Sequence, residues 1–458
     1  MLRTKRFNIM KVQVLSASAL LLAMASGATF AKVSNHEAAK LGGELTRVGA
    51  QASGNKDGSI PGYTGGLKQN TSADQFADVF AHEKPLFTIT AKNLGQYKDK
   101  LTDGQVALFE KYPETYVMPI YKTHRSAAYS NRVLAKAKKN AVSSELVSGG
   151  NGLKNFDETI PFAIPQNGLE VIWNHISRYR GGSVERTMSQ FSVNANGGYV
   201  PVVMKSTSTI PHELVDGYDA KKDDNILFYY MQAIESPARL TGNVLLVHET
   251  IDQVSQPRKA WSYNAGQRRV RRAPQIAYDA PAQASDGLRT ADQIDMYNGA
   301  PNKYNWKLLG KKEIYIPYNA YKLADNQVKY RDILKTGHID QSYTRYELHR
   351  VWQVEATLKE GERHVYGKRT FYVDEDSWQI AVADLYDNRG VLWRASEGHA
   401  LQFVNVNANW YVANTSYDLL SGSYAAELQN EEQTPFVFGK KMKHKNFTAA
   451  ALRRAGKR

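Results

Sequence analysis

The chain has 458 residues, no cysteine and a formal net charge of +14. The lack of cysteine excludes disulfides, thiolate metal sites, a cysteine nucleophile and a lipid-modified cysteine behind a leader; at this length a large core can form without cross-links. The charge is uneven: Arg3, Lys5, Arg6 and Lys11 open the chain, and Gly439–Arg458 carries eight cations and no acid. The body between them is close to neutral, which does not fit a nucleic-acid-binding surface.

The N-terminal cations precede an apolar stretch, Val14 to Ala25, and then small residues up to Ala31. This is the order of a secretory signal peptide, cleaved after Ala31, and it predicts a soluble protein of the periplasm. No later run has the roughly 18 apolar residues of a spanning helix.

Residues 32–189 read as a helix-rich portion. Ser34 and Glu37 form a capping-box pattern, and Gly49 to Gly66 is a polar loop. Thr102 caps a helix stopped by Pro113, a second helix runs from about Ser126 to Ala141, and Ser148 to Asn155 is a loop. Asn167 caps a third helix, with Leu169, Ile172, Trp173 and Ile176 at helical spacing.

From about Gln190 to 438 the texture becomes that of strands. A hairpin is expected over Phe191 to Met204, then strands at Ile226–Ile234, Asn243–Ile251, Lys259–Tyr263 and Arg268–Ala273. Later strands are expected at Lys311–Pro317, Tyr346–Leu358, His364–Val373, Trp378–Tyr386 and Val391–Arg394. Short turns between successive strands argue for an antiparallel sheet, hence an α+β fold with no internal repeat. Residues 439–458 read as a separable basic tail, either drawn to anionic envelope lipids or merely solvated.

Motif searches for chemistry fail. No G-x-S-x-G elbow, P-loop, H-E-x-x-H or G-x-G-x-x-G is present, so neither an enzyme nor a cofactor is expected. The eleven histidines are dispersed, and His175 beside Trp173 reads as structural. The segment Asn55–Ser59 lacks the carboxylates a calcium loop needs and reads as a turn. The acids Asp374, Glu375, Asp376, Asp384 and Asp387 read mainly as turn chemistry.

The densest feature is Arg268-Arg269-Val270-Arg271-Arg272, preceded by Trp261, Tyr263 and a Gly turn. Strand alternation puts Arg269 and Arg271 on one face and Arg268, Val270 and Arg272 on the other. Guanidinium groups there suit an anionic headgroup; structural pairing with Glu249, Asp374 or Asp376 is the alternative. Trp261, Tyr263, Arg268, Arg269, Arg271 and Arg272 are therefore the candidate ligand-binding residues.

The stretches Leu45–Ala50 with Asn55–Leu67, Tyr97–Arg125, Pro165–Gly181, Arg258–Pro274 and Tyr346–Arg394 resemble the family catalogued as domain of unknown function 1329. Arg47 and Ala265 stand where that family commonly has proline. The resemblance implies an exported protein that works beside an RND-type transporter and an outer-membrane barrel. The Trp–turn–Arg hairpin is also similar to one in outer-membrane lipoprotein-sorting proteins. That similarity implies a curved antiparallel half-barrel whose concave side, closed by helices, holds acyl chains. The expected function is a carrier or chaperone for a hydrophobic or lipid-like molecule. A structural or regulatory interaction protein of the envelope and a lipid or ester hydrolase are the alternatives.

Overall fold

The computed structural model describes residues 33–274, 276, 278–325, 327–429 and 436–456. The expected leader, residues 1–31, lies outside them. Lys32–Arg458 forms one compact unit.

The unit is built on an open sheet of 16 strands. A first meander comprises β5 (Val184–Val193), β6 (Val202–Thr209), β7 (Ile226–Ser236), β8 (Val244–Thr250), β9 (Lys259–Asn264) and β10 (Arg269–Arg272). A second comprises β11 (Tyr304–Pro317), β12 (Tyr346–Leu358), β13 (Lys368–Asp374), β14 (Ile380–Tyr386), β15 (Leu392–Phe403), β16 (Ala408–Asp418) and β17 (Tyr424–Gln429). Within each, sequence neighbours pair antiparallel, and β17 joins the halves by pairing with β5. Shorter strands complete the set: β1 (Phe87–Ile89) and β2 (Met118–Ile120) at the β12 side, β18 (Val437–Phe438) on β5, and the separate hairpin β3 (Glu145–Val147) with β4 (Gly152–Lys154).

The two halves are covered differently. On one face of β12–β14, Val354, Phe371, Val373, Ala383 and Leu385 pack with Val171, Ile172 and Ile176 of the helix Gly168–Ser177. On the other face the helix Asp103–Lys111 docks by its N-terminus: Thr102 Oγ1 and Gly104 N both donate to the buried Asp384 at 3.0 Å. Gly104 is required there, since a Cβ would stand 2.4 Å from the Asp384 carboxylate. The expected capping residues Thr102 and Asn167 both cap as the sequence indicates.

The β5–β10 half is packed on its outer face by the C-terminal segment. Met442, Phe447 and Leu452 are buried with Tyr229, Leu246 and Tyr263. Phe447 stacks on Tyr229 with ring centroids 5.4 Å apart, and its carbonyl meets His248 Nε2 at 2.8 Å. The expectation of a separable tail is therefore corrected: its apolar residues recur on one face of the helix Ala449–Ala455 and seal the sheet, while Lys441, Lys443, Lys445, Arg453 and Arg454 face solvent. The inner face of this half has a different cover, described next.

Candidate functional site

Because β10 ends at one edge of the sheet and β11 begins at the other, the chain must cross between them. The connecting segment 273–303 does so over the inner face of β5–β9 and forms a strap. Polar bonds pin it. Arg178 donates to Asp295 at 2.9 and 2.6 Å and Arg180 at 2.8 Å, while Trp410 Nε1 donates to Asp295 Oδ1 at 3.1 Å. His175 Nε2 donates to the Asp295 carbonyl at 2.8 Å while its Nδ1 accepts from Ile380 N at 3.0 Å, a wholly structural role for that histidine. Burial opposes ionisation of Asp295, but Arg178 and Arg180 hold its carboxyl well below the usual carboxylate range. Burial, with the neighbouring Arg178 adding to it, pulls Arg180 down to about 10 even though Asp295 favours its charge. Farther back along the strap, Gln190 Nε2 donates to the Gln283 carbonyl and Arg289 Nη1 donates to Asn414 Oδ1 at 2.9 Å.

Between strap and sheet lie two adjoining cavities. The first, of about 120 Å³, is walled by Leu227, Phe228, Leu245, Val247, Ile276 and Ile294. The second, of about 380 Å³, continues past Met188, Met204, Gln232, Ser262 and Gln283. Arg186, Tyr230, Leu245, Ile276, Ile294 and Tyr411 border both, so the two form one trough. A volume of this order falls in the range of small-ligand sites. The register explains the lining: Tyr230 lies opposite Val247 and Gln232 opposite Leu245, so one alternating set from β7 and β8 faces inward. One alternating set within Ile226–Ile251 therefore points to the sheet's interior face.

Of the six candidate residues only Tyr263 borders the trough. Trp261 and Tyr263 do share a face, but it is the outer one: Tyr263 is 2 % exposed beneath the C-terminal helix, and Trp261 lies against His248. Ser262, one residue out of phase, is the β9 side chain on the cavity side. Arg268, Arg269, Arg271 and Arg272 are exposed on the edge strand β10 or its turn. Arg272 lies over the Trp261 ring at 5.4 Å. Arg269 and Arg271 pair with Asn264 and Ser262, which puts them on the cavity side of the sheet edge. The acids considered as their partners are engaged otherwise, Glu249 by Arg258 and Asp376 by Arg125. Charge on an edge strand also blocks pairing with another sheet.

The acid cluster divides. Asp374 accepts from Ser377 N and Oγ, and Asp387 from Val391 N, as turn residues do. Glu375 and Asp376 are fully buried and instead meet Arg125, Arg350 and Lys311, and Asp384 lies buried inside β14 against the start of the helix Asp103–Lys111, which corrects the turn reading for these three. His349, Asp374 and Asp376 come close enough to suggest a metal site, but Arg125 already donates to both Asp376 oxygens at 2.8 and 2.7 Å. Asn55–Ser59 is a turn, with Asp57 Oδ1 accepting from Ser59 N.

Residues 88–453 match the family model described as "Protein of unknown function (DUF1329)". The chain belongs to this family. A relative in Pseudomonas aeruginosa, described as an uncharacterized protein, is 56 % identical over 97 % of this chain and 99 % of its own. Three solved structures are similar at low identity. A putative outer membrane lipoprotein-sorting protein domain from Vibrio parahaemolyticus has a TM-score of 0.42 and 15 % identity, over 63 % of this chain and 98 % of that one. A DUF1329 family protein from Desulfovibrio piger has 0.40 and 16 %, over 59 % and 90 %. A LolA superfamily protein from Nitrosomonas europaea has 0.39 and 12 %, over 63 % and 100 %.

Proposed function

We propose that this DUF1329 protein is a periplasmic carrier or chaperone for a hydrophobic or lipid-like molecule. The observation that carries the reading is the trough between the strap and the inner face of β5–β9, whose first part is walled mainly by aliphatic and aromatic side chains. Each methylene buried there contributes about 0.8 kcal/mol, so a chain of modest length is held firmly without a covalent step. A sealed interior would favour an interaction protein instead. A hydrolase needs a base beside its nucleophile, and the trough is bordered by Ser177, Ser206, Ser208 and Ser262 with no histidine among its described lining residues.

The N-terminal leader pattern supports export. No helix among the described residues is long and apolar enough to cross a membrane. The exposed cations of the C-terminal segment and of β10 suit anionic envelope lipids as one partner. An RND-type transporter and an outer-membrane barrel are proposed as the machinery served. Mass spectrometry of natively purified periplasmic protein is the test. A stoichiometric long-chain amphiphile is expected, and protein that carries none and takes up none after delipidation overturns the reading.

A further inference from the structure

The trough is not electrically balanced. Five arginines border it, Arg178, Arg180, Arg186, Arg258 and Arg289. Asp295 serves the first two, Glu249 serves Arg258, and Glu427 stands between Arg186 and Arg289 at 3.5 and 3.6 Å. The fourth bordering acid, Glu158, is drawn off by Arg132 and Lys136 outside the trough. Among the described residues the wall therefore holds more guanidinium than carboxylate.

Arg186 is where the excess is least satisfied. It projects from β5 at the junction of the two cavities and borders both. The residue is 8 % exposed, and its Nη1 is buried without a hydrogen-bond partner among the described residues. Its guanidinium lies 4.2 Å over the Trp410 ring, which fixes the plane of the fork but satisfies no N–H along its edge. A buried guanidinium N–H left unpaired is costly, so such a donor marks a place where an acceptor belongs. Arg289, the other cation of this group, spends Nη1 on Asn414 and Nη2 on Gln190, which leaves only its Nε unpaired among the described residues.

We infer that the trough selects amphiphiles with an anionic head, carboxylate or phosphate, which Arg186 receives at the cavity junction while the chain lies along the apolar wall of Leu245 and Val247. This inference rests on the carrier reading and adds the headgroup class to it. A charge-assisted contact with a buried guanidinium is worth about tenfold or more in affinity over a neutral head of the same length.

The test compares hexadecanoic acid, hexadecyl phosphate and hexadecanol as competitors for a fluorescent fatty-acid probe on delipidated full-length protein. At least one of the two anions is expected to bind about tenfold or more tightly than the alcohol, and which does so separates carboxylate from phosphate. Free acetate and inorganic phosphate, as chainless controls, are expected to compete poorly. Arg186→Gln should abolish the preference while keeping alcohol binding, and Arg186→Lys should restore part of it. Equal binding of acids and alcohol by the wild-type protein overturns the headgroup inference and leaves the carrier reading standing. Binding of none overturns both. If Arg186→Gln does not fold, the wild-type preference and the Arg186→Lys variant still decide.

Discussion

The apolar residues of the C-terminal segment fasten it to the outer face of the β5–β10 half. Leu452 is 0 % exposed in the cluster with Tyr229, Leu246 and Tyr263. Truncating a buried leucine to alanine costs about 2–5 kcal/mol, a large part of the ~5–15 kcal/mol by which a domain is stable. Gly456 gives an independent handle on the same contact. A Cβ there would stand 2.1 Å from Tyr263 Cδ1 and 2.8 Å from the Gly242 carbonyl, so the helix end must lift or the ring must move. Overpacking of this kind costs about 1–3 kcal/mol. Urea unfolding followed by tryptophan fluorescence measures both, since Trp261 borders the cluster. Leu452→Ala and Gly456→Ala are expected to lower stability by those amounts. Replacing the exposed Arg453 and Arg454 with Gln should stay within about 0.5 kcal/mol. If Leu452→Ala also stays within about 0.5 kcal/mol, the segment is a solvated arm and the packing argument fails.

Two further outcomes are expected. Burial pushes Glu397 up to about 7, against hydrogen bonds from Gln105 and Tyr346 that favour the carboxylate. The native state then binds a proton that the unfolded state, near pH 4.5, has released. Stability from this group is full below pH 4.5 and is lost as pH rises to about 7, by about 3 kcal/mol. Glu397→Gln should flatten that decline in unfolding measured between pH 5 and 8, and an unchanged slope refutes the assignment. At the sheet edge, Arg269→Gln with Arg271→Gln should weaken adsorption to anionic vesicles about tenfold or more at low salt, at about 1 kcal/mol per cation, and the difference should shrink as salt rises. Vesicle binding insensitive to both changes would leave these arginines only the task of protecting the edge.

Strands with one face toward a cavity or toward solvent were readable from the sequence, because alternation survives in them. β7, β8, β9 and β10 fall within a residue or two of their expected limits. The strands β15 and β16 did not declare themselves. Only the first residues of β15 were expected, and β16 and β17 were not expected at all. Both faces of β15 and β16 are buried, and polar residues such as Glu397, His399, Gln402, Asn409 and Asn414 sit inside them, so no alternation marks a solvent side. The site was less legible for a related reason. Arg186, Arg289, Asp295 and Glu427 are scattered over 242 positions and meet only because the strap crosses the sheet. The conspicuous Arg268–Arg272 run drew attention by its density, yet a dense run is what an exposed edge tolerates. The one hint in the sequence was Arg186 itself, a cation at an inward position of β5 between Val184 and Met188.

The central claim is that the trough beneath the strap holds an apolar chain. Titration of a fluorescent long-chain fatty acid into delipidated protein, wild type against Val247→Phe, tests it most directly, because Val247 faces the cavity opposite Tyr230 and the larger ring would occupy the chain's path. Saturable binding is expected of the wild type and a loss of about tenfold or more of the variant, the equivalent of two buried methylenes, with unfolding still cooperative. Equal binding by both proteins would place the probe somewhere other than this trough and contradict the account.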